Sequence, residues 1–150
     1  MKKIFGLVAS LFLFVSCIST KSTLKNVDNN APIPKLTKNN TFVITAFGKD
    51  KKYRYDKDSP INIFYRGTKD DVINQQRFLN ALAGPNGEAI TFSKRESCCP
   101  FPSKNTGMGA GFLDVYEIKW EGLKKPILLY LNIYERGQLM VPVGFSLKKN

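Results

Sequence analysis

Apolar residues along this chain form one continuous run at the start and short, alternating groups afterwards. Ile4 to Val15 is apolar apart from Ser10; Met1-Lys2-Lys3 precedes it and Ser16-Cys17 follows. A cationic start, a short apolar run and a small residue before a cysteine follow the order of a secretory signal, and the run is too short to span a bilayer comfortably. Residues 18–40 are polar, with Pro32, Pro34 and almost no periodicity. They read as a flexible tether, with a typical end-to-end distance of about 26 Å for a loose chain of that length.

From Thr41 the pattern changes. Thr41 to Phe47 is β-branched and aromatic and ends at Gly48, as a strand does. Lys49 to Asp58 is charged, with Tyr53 and Tyr55 two apart, and reads as an exposed hairpin arm. Ile61 to Tyr65 is a second strand. Asp70 to Ala83 is the one good helix, with acidic residues at its positive end and Gly84-Pro85 to stop it. Val72, Ile73, Leu79 and Leu82, with Phe78 nearby, form its core-facing stripe.

Ala89 to Ser93 is a third strand, which Cys98-Cys99-Pro100-Phe101-Pro102 should break, because proline cannot donate to a ladder. Gly107 to Gly111 is a flexible connection. Leu113 to Glu121 and Pro126 to Arg136 are the strongest strands and form an antiparallel hairpin around Gly122-Leu123-Lys124-Lys125. Val141 to Leu147 is a weaker last strand. The expected fold is α+β: an antiparallel sheet of five or six strands with one main helix packed on one face. The expected organisation is a signal peptide over 1–16, a lipidated cysteine and tether over 17–40, and a single domain over 41–150.

Composition changes this picture little. Removing residues 1–16 leaves 134 of the 150 residues, enough for one domain with a real core. Net charge is +11 and falls to +9 when Lys2 and Lys3 are lost. The lysines are spread along the chain in a manner typical of a solvated surface, so the charge names no partner, although an anionic envelope component fits it.

Chemistry is narrowed more sharply. With no histidine in the chain, His-based triads, His acid–base catalysis and most zinc sites are excluded. Gly107-Met108-Gly109-Ala110-Gly111 lacks the Lys-Ser/Thr ending of a phosphate-binding loop. Asp114 and Glu117, three apart in a strand, point to opposite faces, whereas Glu117, Lys119 and Glu121 share a solvated one. Lys49 to Tyr55 interleaves cations with aromatics, a pattern for single-stranded nucleic acid; the export signal argues against that partner. No catalytic residue, cofactor or metal ligand is assigned, and the domain leans towards a non-enzymatic role.

The residues singled out are three cysteines. Cys17, following Ser16, is the lipidation site that would anchor the chain to an envelope membrane. Ile18 is not the aspartate that retains enteric lipoproteins in the inner membrane, which favours the outer one. Cys98 and Cys99 then have only each other. In an oxidising compartment they close a vicinal disulfide that is comparatively easy to reduce, stay buried as thiols, or hold a soft metal ion such as Cu(I), with Met108 as a further ligand.

Arg77-Phe78-Leu79-Asn80-Ala81-Leu82 leading to Gly84-Pro85-Asn86-Gly87-Glu88, then Ser97-Cys98-Cys99-Pro100-Phe101, Leu113-Asp114-Val115-Tyr116-Glu117 and Glu121-Gly122-Leu123-Lys124-Lys125-Pro126-Ile127 resemble a family of short lipoproteins from flavobacteria and their relatives. The resemblance covers about residues 53–147; Ile63 to Gly67 departs from the glycine-rich stretch expected there. Such proteins are often labelled 2-dehydro-3-deoxyphosphooctonate aldolase. Enzymes of that kind are (β/α)₈ barrels of about 250 residues, so the resemblance carries no catalytic residues onto this shorter, single-helix chain.

Overall fold

The computed structural model describes residues 21–65 and 71–149. The expected signal segment, Cys17 and Asp70 lie outside them. Within them the fold is α+β, mostly strand with one short helix. In chain order the elements are β1 (Ala46–Phe47), β2 (Ile61–Asn62), α1 (Asp71–Leu79), β3 (Leu82–Ala83), β4 (Thr91–Pro102), β5 (Ala110–Lys119), β6 (Ile127–Asn132), β7 (Met140–Val141) and β8 (Ser146–Leu147).

The expected antiparallel sheet of five or six strands is corrected to a mixed, four-stranded one in the order β2-β6-β5-β4, flanked by two-stranded pairs β1-β7 and β3-β8. The expected hairpin is there: β5 and β6 run antiparallel, with Asp114 opposite Leu131 and Tyr116 opposite Leu129. The two strands before the helix do not simply extend it. β2 joins β6 in parallel, Ile61 opposite Leu131, and β1 joins β7 in parallel, Ala46 opposite Met140. Parallel partners require long crossovers, and local alternation carries no mark of them.

One side of the sheet buries Tyr116, Ile118, Leu129 and Leu131 against Phe78, Leu79 and Leu82, with Phe42, Ile44, Ile61, Ile63 and Tyr65 closing the core. The helix differs from its expected form in length and face. It stops at Leu79 because Leu82 and Ala83 pair instead with Leu147 and Ser146, so tertiary pairing overrides local helix preference. Its buried face is Asn74, Gln75, Phe78 and Leu79, while Val72 is exposed.

Residues 49–58 are not an exposed arm. They form successive turns, and Tyr53 and Arg54 are buried. Nor do residues 21–40 hang loose. Lys25 N–H donates to Asp58 O at 2.8 Å, Asp28 N–H to Arg136 O at 2.8 Å and Asn26 Nδ2 to Ser59 Oγ at 2.6 Å, while Ala31 is buried. The polar composition read as a spacer instead supplies the side chains and backbone that lay this segment along the domain.

Candidate functional site

Strand β4 forms the edge of the main sheet and carries the double cysteine. Its register against β5 slips twice. Lys94 lies opposite Tyr116 but Glu96 opposite Val115, leaving Arg95 extra; Cys98 lies opposite Leu113 but Phe101 opposite Gly111, leaving Cys99 and Pro100 to face Phe112 alone. These are β-bulges, which bend an edge strand and tighten its twist. They also explain why the strand runs through Cys98–Pro102 rather than ending before it. Pro100 sits in the second bulge and Pro102 at the strand end on an edge, the positions a ladder tolerates.

Cys98 and Cys99 are joined in a vicinal disulfide. Cys99 has a φ of 60°, in the left-handed region that a bulge of this kind normally gives to glycine. Both cysteines are half-buried, and Cys99 borders a shallow depression of about 180 Å³ with Thr23, Leu24, Lys57, Asp58, Pro100 and Phe101. Of the three fates open to the pair, this one leaves no thiolate to bind a soft metal. Among the described residues no three His, Cys, Asp or Glu side chains gather as a metal site.

Beside the disulfide lies a polar cluster that sequence reasoning missed. The Arg95 bulge turns Lys94 and Ser97 to the same side, where both meet Asp114. Lys94 Nζ lies 2.7 Å from Asp114 Oδ1 and Ser97 Oγ donates to the same oxygen at 2.6 Å. Gln75 Nε2, from the buried face of α1, donates to Asp114 Oδ2 at 2.6 Å. Gln75 Oε1 in turn accepts the Tyr116 hydroxyl at 2.6 Å.

Burial alone would raise the Asp114 pKa, but the hydrogen bonds from Gln75, Lys94 and Ser97, together with the Lys94 charge, outweigh it and hold the carboxyl below its ordinary value. Tyr116 is pushed up by burial and by the Asp114 charge. A carboxylate so satisfied is a weak base, ill suited to take a proton from Ser97. What it does is tie α1, β5 and β4 together. Its trace in the sequence is an aspartate on the core-facing side of β5, with a tyrosine two residues on and Asn74-Gln75 in the middle of the helix.

The side chains next to the disulfide and the other expected features are placed as follows. Arg95 and Glu96 face solvent, and Lys94 reaches inward only through its ammonium. Glu117 pairs with Lys119 at 2.5 Å, on the exposed stripe expected of them. The cation–aromatic run of Lys49 to Tyr55 is dismantled: Arg54 is fully buried, its guanidinium 3.7 Å from the Tyr55 ring centre and 4.8 Å from that of Phe145, and Nη2 donates to Val143 O. Burial lowers the Arg54 pKa, with Tyr55 and Tyr53 acting in the other direction.

Among the described residues no helix is long and apolar enough to cross a membrane. Compared with known protein families, with curated proteins and with solved structures, the chain matches none.

Proposed function

We propose that this chain is an envelope lipoprotein, anchored through Cys17 and presenting a non-enzymatic α+β binding or structural module at a membrane, the outer one by preference. The observation that carries the reading is the order of Met1 to Cys17: two lysines, a twelve-residue run apolar except at Ser10, a serine, then the cysteine. Acyl chains on that cysteine hold a protein at a bilayer through about 0.8 kcal/mol per buried methylene. The motifs around Cys98-Cys99 and Leu113–Glu117 place it, on the same reading, with the short flavobacterial lipoproteins. Its strongest polar cluster is consumed in joining helix to sheet, which favours a structural or binding role over catalysis.

The test is direct. Cys17→Ala should move the protein from the membrane fraction to the soluble one, and the mature wild-type amino terminus should carry a mass increment of fatty acyl chains. An unacylated terminus, or cleavage elsewhere, would sink the proposal.

A second reading, a redox protein using Cys98-Cys99, is favoured by one observation: the disulfide is half-exposed beside a depression and holds Cys99 in a backbone conformation unusual for a non-glycine residue. A disulfide there accepts thiolate attack on either sulfur. The ring it closes restrains almost no chain, so Cys98→Ser/Cys99→Ser should cost at most about 1–2 kcal/mol in urea unfolding. Unchanged stability with loss of a thiol–disulfide exchange activity present in the wild type would establish this second reading. No exchange activity in either form would remove it.

A further inference from the structure

The anchor and the fold together fix which end of the domain meets the lipid. The inference rests on lipidation at Cys17. The described chain is first bonded to the body of the domain at Lys25, whose N–H donates to Asp58 O, eight peptide steps from Cys17. Eight residues reach at most about 28 Å when fully extended. The domain therefore stays within that reach of the bilayer, and the surface around Lys25 is the part the anchor brings nearest to it.

That surface has a definite character. Leu24 borders two neighbouring depressions, one shared with Lys57, Cys99 and Pro100, the other with Lys21 and Lys104. A third, about 290 Å³, continues from Asn29 and Lys104 to Asn105, Phe64 and Arg136. The turn between β4 and β5 belongs to the same end, since Ser103 N–H donates to Gly109 O, and at its tip Met108 is 85% exposed. Lys21, Lys25, Lys57 and Lys104 are all exposed, and Arg136 is half-buried with its Nε unpartnered among the described residues. The acids nearby are Asp28, Asp58, which lies 3.9 Å from Lys57, the half-buried Asp56, which accepts from Asp58 N–H, and Glu135, which is turned inward and hydrogen-bonded to Ser103 and Asn105. Cations prevail.

We infer that this pole rests on anionic lipid headgroups, with the four lysines over the phosphates and Met108 at the interface. Lysine stems with a methionine at a turn tip suit that boundary, since ammonium groups seek the anionic surface while apolar chains enter it. The disulfide is carried along, so Cys98-Cys99 faces the membrane rather than the open compartment. At the other end of β5, roughly 30 Å away for ten residues at about 3.3 Å each, the loop bearing Lys124 and Lys125 points away.

Acetylation footprinting separates the two ends. The mature lipidated protein would be reconstituted into phosphatidylcholine vesicles containing 30% phosphatidylglycerol, and compared with the same protein in neutral detergent micelles. Lys21, Lys25, Lys57 and Lys104 should lose reactivity several-fold on the vesicles, while Lys124 and Lys125 keep theirs. Equal loss at all six, or none at the first four, would overturn the inference. Intact mass of the same sample reports acylation independently. If Cys17 proves unacylated the anchor reading fails, and the same footprint on the unacylated chain added to those vesicles decides the pole by itself: selective protection sustains it, uniform reactivity overturns it.

Discussion

Arg54→Ala is expected to cost the fold about 3–5 kcal/mol, whereas Arg54→Met should stay within about 1 kcal/mol of wild type. The side chain is completely buried, sandwiched by Tyr55 and Phe145, and only Nη2 has a hydrogen-bond partner among the described residues. Alanine would leave the space between the rings empty. Methionine would refill it and remove a cation that burial disfavours. Arg54 also has a φ of 67°, but alanine and methionine meet the same backbone, so the comparison isolates packing from charge. Thermal unfolding reads the difference, since about 3–5 kcal/mol corresponds to roughly 10–20 °C in a domain of this size. Should methionine prove as harmful as alanine, the charge itself would be required, and the cation–π contacts would then outweigh its desolvation.

The second large effect is at Asp114. Asp114→Ala should destabilise by about 2–4 kcal/mol, because it strands Gln75, Ser97 and Lys94 as donors, and Gln75 is buried. Lys94→Met should cost less, about 1 kcal/mol or under, as that lysine is nearly half-exposed and solvent already screens it. The pH dependence follows from the sign of the shift. The folded carboxyl is held below its ordinary value of 3.8. Its contribution is therefore complete above about pH 5 and is lost as pH falls through the folded value. Urea midpoints should fall in acid for the wild type more steeply than for Asp114→Asn. Parallel acid profiles would show that the carboxylate is not the group stabilised.

What the sequence discloses here depends on whether a contact is local. The β5-β6 hairpin was legible because Leu113 to Glu121 and Pro126 to Arg136 alternate on either side of a glycine turn. The exposed Glu117–Lys119 pair followed from the same period of two. The helix was legible in position but not in extent, since its last residues are claimed by β8 more than sixty residues later. Lys94, Ser97 and Asp114 could not have been grouped from spacing. An odd separation puts Lys94 and Ser97 on opposite faces of a regular strand, and only the extra Arg95 brings them together. Polarity misled at Lys25, Asp28 and Arg54, where a hydrophilic stretch reads as solvent-facing although it satisfies buried backbone or stacks on aromatic rings. Among the cysteines, adjacency in sequence singled out Cys98 and Cys99, and the bulge at Pro100 supplies the bend that their pairing needs.

The two parallel pairings carry a consequence for how the molecule assembles. β1 and β2 find their partners only at Met140-Val141 and Leu131-Asn132, so the first third of the domain closes against the last twenty residues of the chain. Contacts of such high sequence separation form slowly, because a long loop must be closed before any of them is rewarded. A growing chain has no strand partner for Ala46–Phe47 or Ile61–Asn62 until residues 131–141 emerge. The β5-β6 hairpin, by contrast, can zip as soon as it is free. Maturation would thus run outward from the hairpin, and loss of the final strands would strand the amino-terminal segments with their apolar faces uncovered.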